Sequence, residues 1–197
     1  MRLAASLVAL ALAAPAHAAG ATETAVFAGG CFWGVEAVFE HVKGVTSAVS
    51  GYAGGSAASA HYDIVSSGRT GHAESVQVTF DPQQVSYAEL LQVFFTVAHD
   101  PTQRNRQGPD VGTQYRSAIF YANDAQKRAA EQAIARLSAS DAYSQPIVTQ
   151  VAPLQAFYPA EAYHQDYLAH HPTQPYIVYN DLPKLTALER TFPRLYR

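Results

Sequence analysis

The segment Gly29-Gly30-Cys31-Phe32-Trp33-Gly34 holds the single cysteine and the single tryptophan of a 197-residue chain. It follows a short apolar run, Thr24 to Ala28, that reads as a strand. It opens an apolar pattern at 31, 32, 35, 38, 39 and 42, the spacing of one helical face. Cys31 therefore falls where a strand passes through two glycines into a helix start. Free amide groups and the positive dipole end of a helix favour an anion there. A thiol so placed tends to ionise and act as a nucleophile. A lone cysteine can also serve as a small buried hydrophobe. The strand–Gly-Gly–helix setting and the two aromatic neighbours favour chemistry.

Glu74 is the second residue with chemical potential. It shares parity with Val76, Val78 and Phe80, which alternate with Ser75, Gln77 and Thr79 in a strand ended by Asp81-Pro82. A carboxyl on the apolar face of a strand has a raised pKa and can act as a general acid near neutral pH. If the strand begins at Ser75, Glu74 is instead solvated. Tyr62, Tyr115 and Tyr167 sit beside polar or glycine-rich segments, where a phenol can donate to a polarised oxygen or serve as a structural amphipathic residue. His61, His72, His99, His164, His170 and His171 show no helical metalloprotease spacing and no Cys/His set, so they read as structural or surface residues without a metal.

These groups must be held by a framework of alternating strands and helices. Val45 to Ala53 reads as a second strand, and 54–71, rich in Gly, Ser and Ala, as a loop. Ser86 reads as the N-cap of a helix reaching about Ala98, with Leu90, Leu91, Phe94 and Phe95 on one face. His99 to Gln114 reads as a long loop, a frequent carrier of function. Then come a strand at 115–121, a helix capped by Asn123 or Asp124 and running to Leu137, a strand at 147–151 and a short helix at 161–169. The tail from Pro175 holds three prolines and reads as extended chain and short turns. A hairpin-like pair, 45–53 with 74–80, interrupts pure βαβ order. The fold class is therefore α+β, a mixed β-sheet covered by helices in a two-layer sandwich.

Arg2, the apolar run Leu3 to Ala14 and the small-x-small triplet Ala16-His17-Ala18 form the pattern of a cleavable export signal over residues 1–18. The remainder, 19–197, reads as a single catalytic domain, exported to a compartment such as the bacterial periplasm. One cysteine forms no internal disulfide, and a free thiol there is a liability unless it does chemistry. A net charge of −3 and the lack of a basic cluster argue against nucleic-acid binding.

Several ordered motifs carry a family resemblance. Gly30-Cys31-Phe32-Trp33-Gly34, Gly51-Tyr52-Ala53-Gly54-Gly55 and Thr70-Gly71-His72-Ala73-Glu74 come first. The stretch from His99-Asp100-Pro101 through Asn105-Arg106-Gln107-Gly108 to Gly112-Thr113-Gln114-Tyr115-Arg116-Ser117 follows, and then His164-Gln165-Asp166-Tyr167-Leu168. In this order they resemble peptide methionine sulfoxide reductase A, from about Thr24 to Pro172.

The resemblance implies a thiol-dependent reduction of methionine-(S)-sulfoxide, free or in oxidised proteins, to methionine. Cys31 would attack the sulfoxide sulfur, and Glu74 would protonate the oxygen held by Tyr62 and Tyr115. Phe32 and Trp33 would cradle the S-methyl group, with Asp110 and Tyr167 lining the site. The implied protein is a monomer with no bound cofactor. Many members carry further cysteines after the segment matching Tyr167-Leu168, and this chain has none there. A sulfenic acid on Cys31 would then need an external thiol: a thioredoxin-like protein, glutaredoxin or glutathione. A cysteine hydrolase with a histidine base and an exported binding module anchored by Phe32 and Trp33 are the competing readings.

Overall fold

A computed structural model describes residues 20–197. The export signal expected over 1–18 lies outside the described residues. Strand β1 (Glu23–Gly29) divides its side chains between the two sides of a sheet. Ala25 and Phe27 enter the main core, and Val26 and Ala28 enter a smaller cluster on the other face. Helix α1 (Phe32–Glu40) follows directly, and β2 (Val45–Ala53) returns along the sheet. The segment expected as loop 54–71 contains a short helix, α2 (Tyr62–Val65). Its sequence was too short for a periodic signal.

Strand β3 (Ala73–Phe80) sends Val76, Val78 and Phe80 into the main core, and the even parity brings Glu74 to that same side. Helix α3 (Tyr87–Val93) begins with the expected Ser86 cap, reinforced by Glu89 in a capping box, and continues as a π-helical turn, Phe94–Ala98. The long loop after His99 contains a small ribbon, β4 (Arg106–Gln107) against β5 (Asp110–Val111), then a 3₁₀ turn at Thr113–Tyr115. Tyr115 thus lies in that turn, just ahead of strand β6 (Ser117–Tyr121).

Asn123 caps α4 (Asp124–Ser138) by accepting from Gln126 N. Strands β7 (Gln150–Pro153) and β8 (Phe157–Pro159) follow. The sheet order is β7-β6-β1-β3-β2-β8; β6 and β7 are parallel and every other pair is antiparallel. The expected pair, β2 with β3, lies near its centre and sets Tyr52 opposite Glu74.

Helices α1, α3 and α4 share one core with the inner face of this sheet, which makes the fold a helix layer over a mixed sheet. Phe27 stacks on Phe39 at 5.1 Å and on Phe94 at 4.9 Å, joining β1, α1 and the π-helical turn. Truncating one such ring to alanine costs about 3–5 kcal/mol. Among the described residues, no helix is long and apolar enough to cross a membrane.

Three further expected segments differ from the structure: the strand expected at 147–151 is instead β7 at Gln150–Pro153, and two segments near the C-terminus differ more. The helix at 161–169 is broken into a 3₁₀ turn, Ala162–His164, and α5 (Tyr167–His170), because Asp166 turns left-handed with φ 52°. The tail is helical. A π-helical turn, Ile177–Asp181, leads into α6 (Leu182–Thr191). Its proline sits in the first helical turn, where a missing N–H costs no internal bond. Leu188 is fully buried in the main core, and Leu185 packs against it. Tertiary burial, absent from any local pattern, stabilises this helix.

Candidate active site

Cys31 is the N-cap residue of α1 and only 8% exposed. Gly30 makes the turn possible with φ 95°; a Cβ there would also lie 2.6 Å from Gln107. Gln107 in turn donates to Asp100 O at 3.0 Å and so packs the long loop onto the turn. Gly34 removes a side chain where Asp181 and Lys184 press on the first turn of α1. Those two form an ion pair at 3.1 Å with the Asp181 side chain wholly buried.

Glu74 reaches this helix start from β3. Phe32 N donates to Glu74 Oε2 at 3.1 Å, and the residue is 2% exposed. Burial pushes its pKa up to about 8, against the Phe32 N–H and with a smaller contribution from Asp110. The carboxyl is therefore neutral at pH 7, with a proton to donate, as the strand parity implied. The thiol departs from expectation. Burial pushes the Cys31 pKa well up, and the Glu74 and Asp181 carboxylates add to this. The Trp33 backbone N–H and the Lys184 ammonium act the other way and are outweighed. The helix start favours a thiolate, but desolvation of a group this deep is larger. Below about pH 8 the neutral Glu74 exerts no repulsion on a thiolate.

The raised Glu74 pKa has a stability consequence. A carboxyl whose folded pKa lies above its unfolded value stabilises the fold fully at low pH, and the contribution is lost as pH rises through about 8. His99, buried and lowered to about 4, acts oppositely below pH 6.5. From pH 6.5 upward the melting temperature is therefore expected to fall, more steeply in wild type than in Glu74→Gln. Glu36 and Glu40, raised to about 7 and about 8, leave some slope in both proteins. Equal slopes in thermal melts would show that Glu74 is not titrating there.

Five aromatic rings and the Asp110 carboxyl complete the enclosure. Burial and then the Glu74 carboxylate raise the Tyr62 and Tyr115 phenols, and both also feel Cys31, so both stay neutral donors beside the two central groups. Tyr62 is placed by α2, whose first N–H donates to Glu161 Oε1 at 3.0 Å. Tyr115 is placed by its neighbour Arg116, which donates to His72 O at 3.0 Å and Gly71 O at 2.8 Å, just ahead of β3. Phe32 is fully buried, with its ring 5.0 Å from His164 and 5.9 Å from Tyr52. Trp33 is half-buried, and Tyr167 stacks flat on it at 3.7 Å and 6°. Asp110, raised by burial, accepts a short hydrogen bond from Tyr176 OH.

All eight residues singled out from the sequence fall in this region or border it. Two more belong beside them. His164 accepts from Trp33 Nε1 at 3.1 Å and packs its ring 4.3 Å from Tyr62. Tyr176 meets Trp33 edge-on at 5.9 Å while bonding Asp110. His164 read as structural, and its place beside Trp33 depends on a contact 131 residues apart. Tyr176 fell in the tail that read as irregular, so no local signal marked it. Among the described residues, no group of His, Cys, Asp and Glu is arranged to hold a metal ion.

A family model for peptide methionine sulfoxide reductase matches residues 23–195. A peptide methionine sulfoxide reductase MsrA 2 of Mesorhizobium japonicum is 60% identical over 91% of this chain and 92% of its own length. Methionine sulfoxide reductase A of Corynebacterium diphtheriae superposes with a TM-score of 0.73 at 39% identity, over 78% of this chain and 76% of that one. Mxr1 of Saccharomyces cerevisiae in reduced form gives 0.73 at 34% identity, over 78% and 87%. Mxr1 has also been solved in complex with Trx2, with a TM-score of 0.52 at 25% identity over 74% and 84%. The chain belongs to the peptide methionine sulfoxide reductase family and is an oxidoreductase of the MsrA kind.

Proposed function

We propose that this reductase acts on the S epimer of methionine sulfoxide, free or within oxidised proteins, with Cys31 as nucleophile and Glu74 as general acid. One observation carries the assignment. A buried, neutral carboxyl meets the first amide of the very helix that Cys31 caps. No other carboxyl in the region reaches that turn with a proton available and an N–H fixing its orientation.

The roles follow from the surroundings. Phe32 and Trp33, backed by Tyr167, form an apolar wall for the S-methyl group, and aromatic faces suit sulfur. Tyr62 and Tyr115 donate to the sulfoxide oxygen, which draws electron density away from sulfur. Cys31 Sγ then supplies an electron pair to that sulfur while Glu74 gives its proton to the oxygen. The Sγ–S bond so formed and the substrate S–O bond both break as the oxygen passes to Sγ, which leaves a sulfenic acid on Cys31, and the thiol proton replaces the one that Glu74 gave up. Methionine leaves as the two-electron-reduced thioether. Asp110 and Tyr176 hold one side of the enclosure closed.

Two external thiols return the enzyme to its starting state. The first displaces the sulfenic oxygen as water and forms a mixed disulfide, and the second attacks that disulfide, releasing the Cys31 thiol and leaving the two external thiols joined as a disulfide. A thioredoxin-like protein is the favoured reductant, supported by the Mxr1–Trx2 complex; glutaredoxin or glutathione could supply the same electrons. The leader pattern at 1–18 supports export and repair of oxidised exported proteins in the periplasm. A monomer suffices, since the site is assembled from one chain.

A single turnover without added thiol tests this cycle. One methionine should be released per chain, and the intact mass should rise by one oxygen located on Cys31. No internal disulfide can form in a chain with one cysteine. Restored cycling on adding a small thiol or a thioredoxin-like protein completes the expected result. Continued turnover with no reductant present would contradict it.

A further inference from the structure

Glu36 lies one turn after Trp33 on α1, at the i, i+3 spacing that sets two side chains on one face. It is 1% exposed, unusual for a carboxylate. Both oxygens are used. Oε1 accepts from Ser50 N of β2 at 3.0 Å, and Oε2 accepts from Asp166 N at 3.1 Å. Gln165 adds a second tie to the same place, accepting from Ser50 N at 2.9 Å and donating to Ser50 O and Ala160 O at 3.0 Å. Asp166 is one of two non-glycine described residues with positive φ. A non-glycine backbone in that region persists where its surroundings impose it. The next residue is Tyr167, whose ring lies flat on Trp33.

We propose that Glu36 is a positioning residue: its carboxylate clamps the left-handed turn at Asp166 and thereby seats Tyr167 on Trp33, setting the aromatic wall of the substrate pocket. The proposal rests on the reading of Trp33 and Tyr167 as that wall. Helix α1 carries both halves of the device. Trp33 offers the lower ring, and Glu36, three residues on, holds the turn that delivers the upper one. Ionised, as it is above about pH 7, the Glu36 side chain is acceptor-only, and its two oxygens suit two converging N–H donors. An apolar residue of similar size would take the acceptor from Asp166 N and leave Ser50 N to Gln165 alone, and an amide would set its own NH₂ against one of the two donors. Glu36 touches no reacting atom, so its loss should disturb substrate recognition and leave the chemical step intact.

The single tryptophan makes the wall directly observable, because all indole emission comes from Trp33. In Glu36→Gln, the Trp33 emission should change in the same sense as in Tyr167→Leu. The KM for a methionine sulfoxide peptide should rise about tenfold, the size expected from losing a hydrogen bond to a charged group. The saturating single-turnover rate should stay within about twofold of wild type, the signature of lost uniform binding. In the double variant, Glu36→Gln should add little to Tyr167→Leu, since both act through one contact. Wild-type emission and KM in Glu36→Gln, or losses that add fully in the double variant, would overturn the proposal. A wild-type KM in Tyr167→Leu would overturn the wall reading itself, a distinguishable failure. Should Glu36→Gln not fold, amide hydrogen exchange of the wild-type protein decides. The Asp166 N–H should be strongly protected by its buried acceptor, and fast exchange there would refute the clamp.

Discussion

Replacing Cys31 with serine is expected to reduce sulfoxide reduction below detection while leaving the fold at least as stable as wild type. The two halves of that result have separate causes. A serine hydroxyl is rarely ionised near neutral pH, and oxygen cannot accept the substrate oxygen as a thiol does, so no oxidised intermediate forms. Stability is retained because Cys31 occupies an N-cap and makes no side-chain cap bond there. Serine is a preferred N-cap residue, and its shorter Cβ–Oγ bond can reach an N–H of the first turn, worth about 1 kcal/mol. Against this stands the burial of a hydroxyl at a site that is 8% exposed. Turnover with a methionine sulfoxide peptide and a thermal melt check both halves. Activity near wild type would remove Cys31 from the reaction. Lost activity with a collapsed melt would leave the role of the thiol to the single-turnover mass measurement.

The parts of this site legible in the sequence are those fixed by local rules. The parity of Glu74 with Val76, Val78 and Phe80 follows from the two-residue period of a strand, so one apolar face located a buried acid. The placing of Cys31 follows from two glycines between a strand and a helical pattern. Ser86 was legible as a cap, and Asn123 as one of two adjacent candidates, because an N-cap is satisfied within three residues.

What was not legible depends on distant partners. Asp166 turns left-handed because Glu36, 130 residues earlier, receives its N–H. The helix at 182–191 forms because Leu188 finds the core beside α1, whereas the three prolines of the tail read as interruptions. Tyr176 joins the site only because that tail folds back to Asp110. The thiol is a subtler case. Its position at a helix start was read correctly, but the depth of burial that opposes ionisation is a property of the assembled core. Charge at Cys31 therefore depends on what Glu74 does, which brings the second large effect into view.

Glu74→Gln is expected to slow the single-turnover rate by about a hundred- to ten-thousand-fold, the usual range for a lost general acid. The amide keeps the size of the side chain and an oxygen for the Phe32 N–H, so the pocket should survive and KM should change far less than the rate. What it lacks is a transferable proton for the sulfoxide oxygen as the S–O bond breaks. The pH dependence separates this role from one of packing. A general acid works in its protonated form, and the folded Glu74 loses its proton as pH rises through about 8. The wild-type rate should accordingly fall on the alkaline side of about 8. Ionised Glu74 would also repel a thiolate at Cys31 there, which deepens the same limb. In Glu74→Gln that limb should disappear, leaving a low rate that no longer declines with Glu74 ionisation. Rapid-quench single turnovers of the S epimer across this pH range measure both features. An unchanged rate at neutral pH, or an alkaline limb that persists in the glutamine variant, would assign the proton to another group, with the Tyr62 and Tyr115 phenols next to be replaced by phenylalanine.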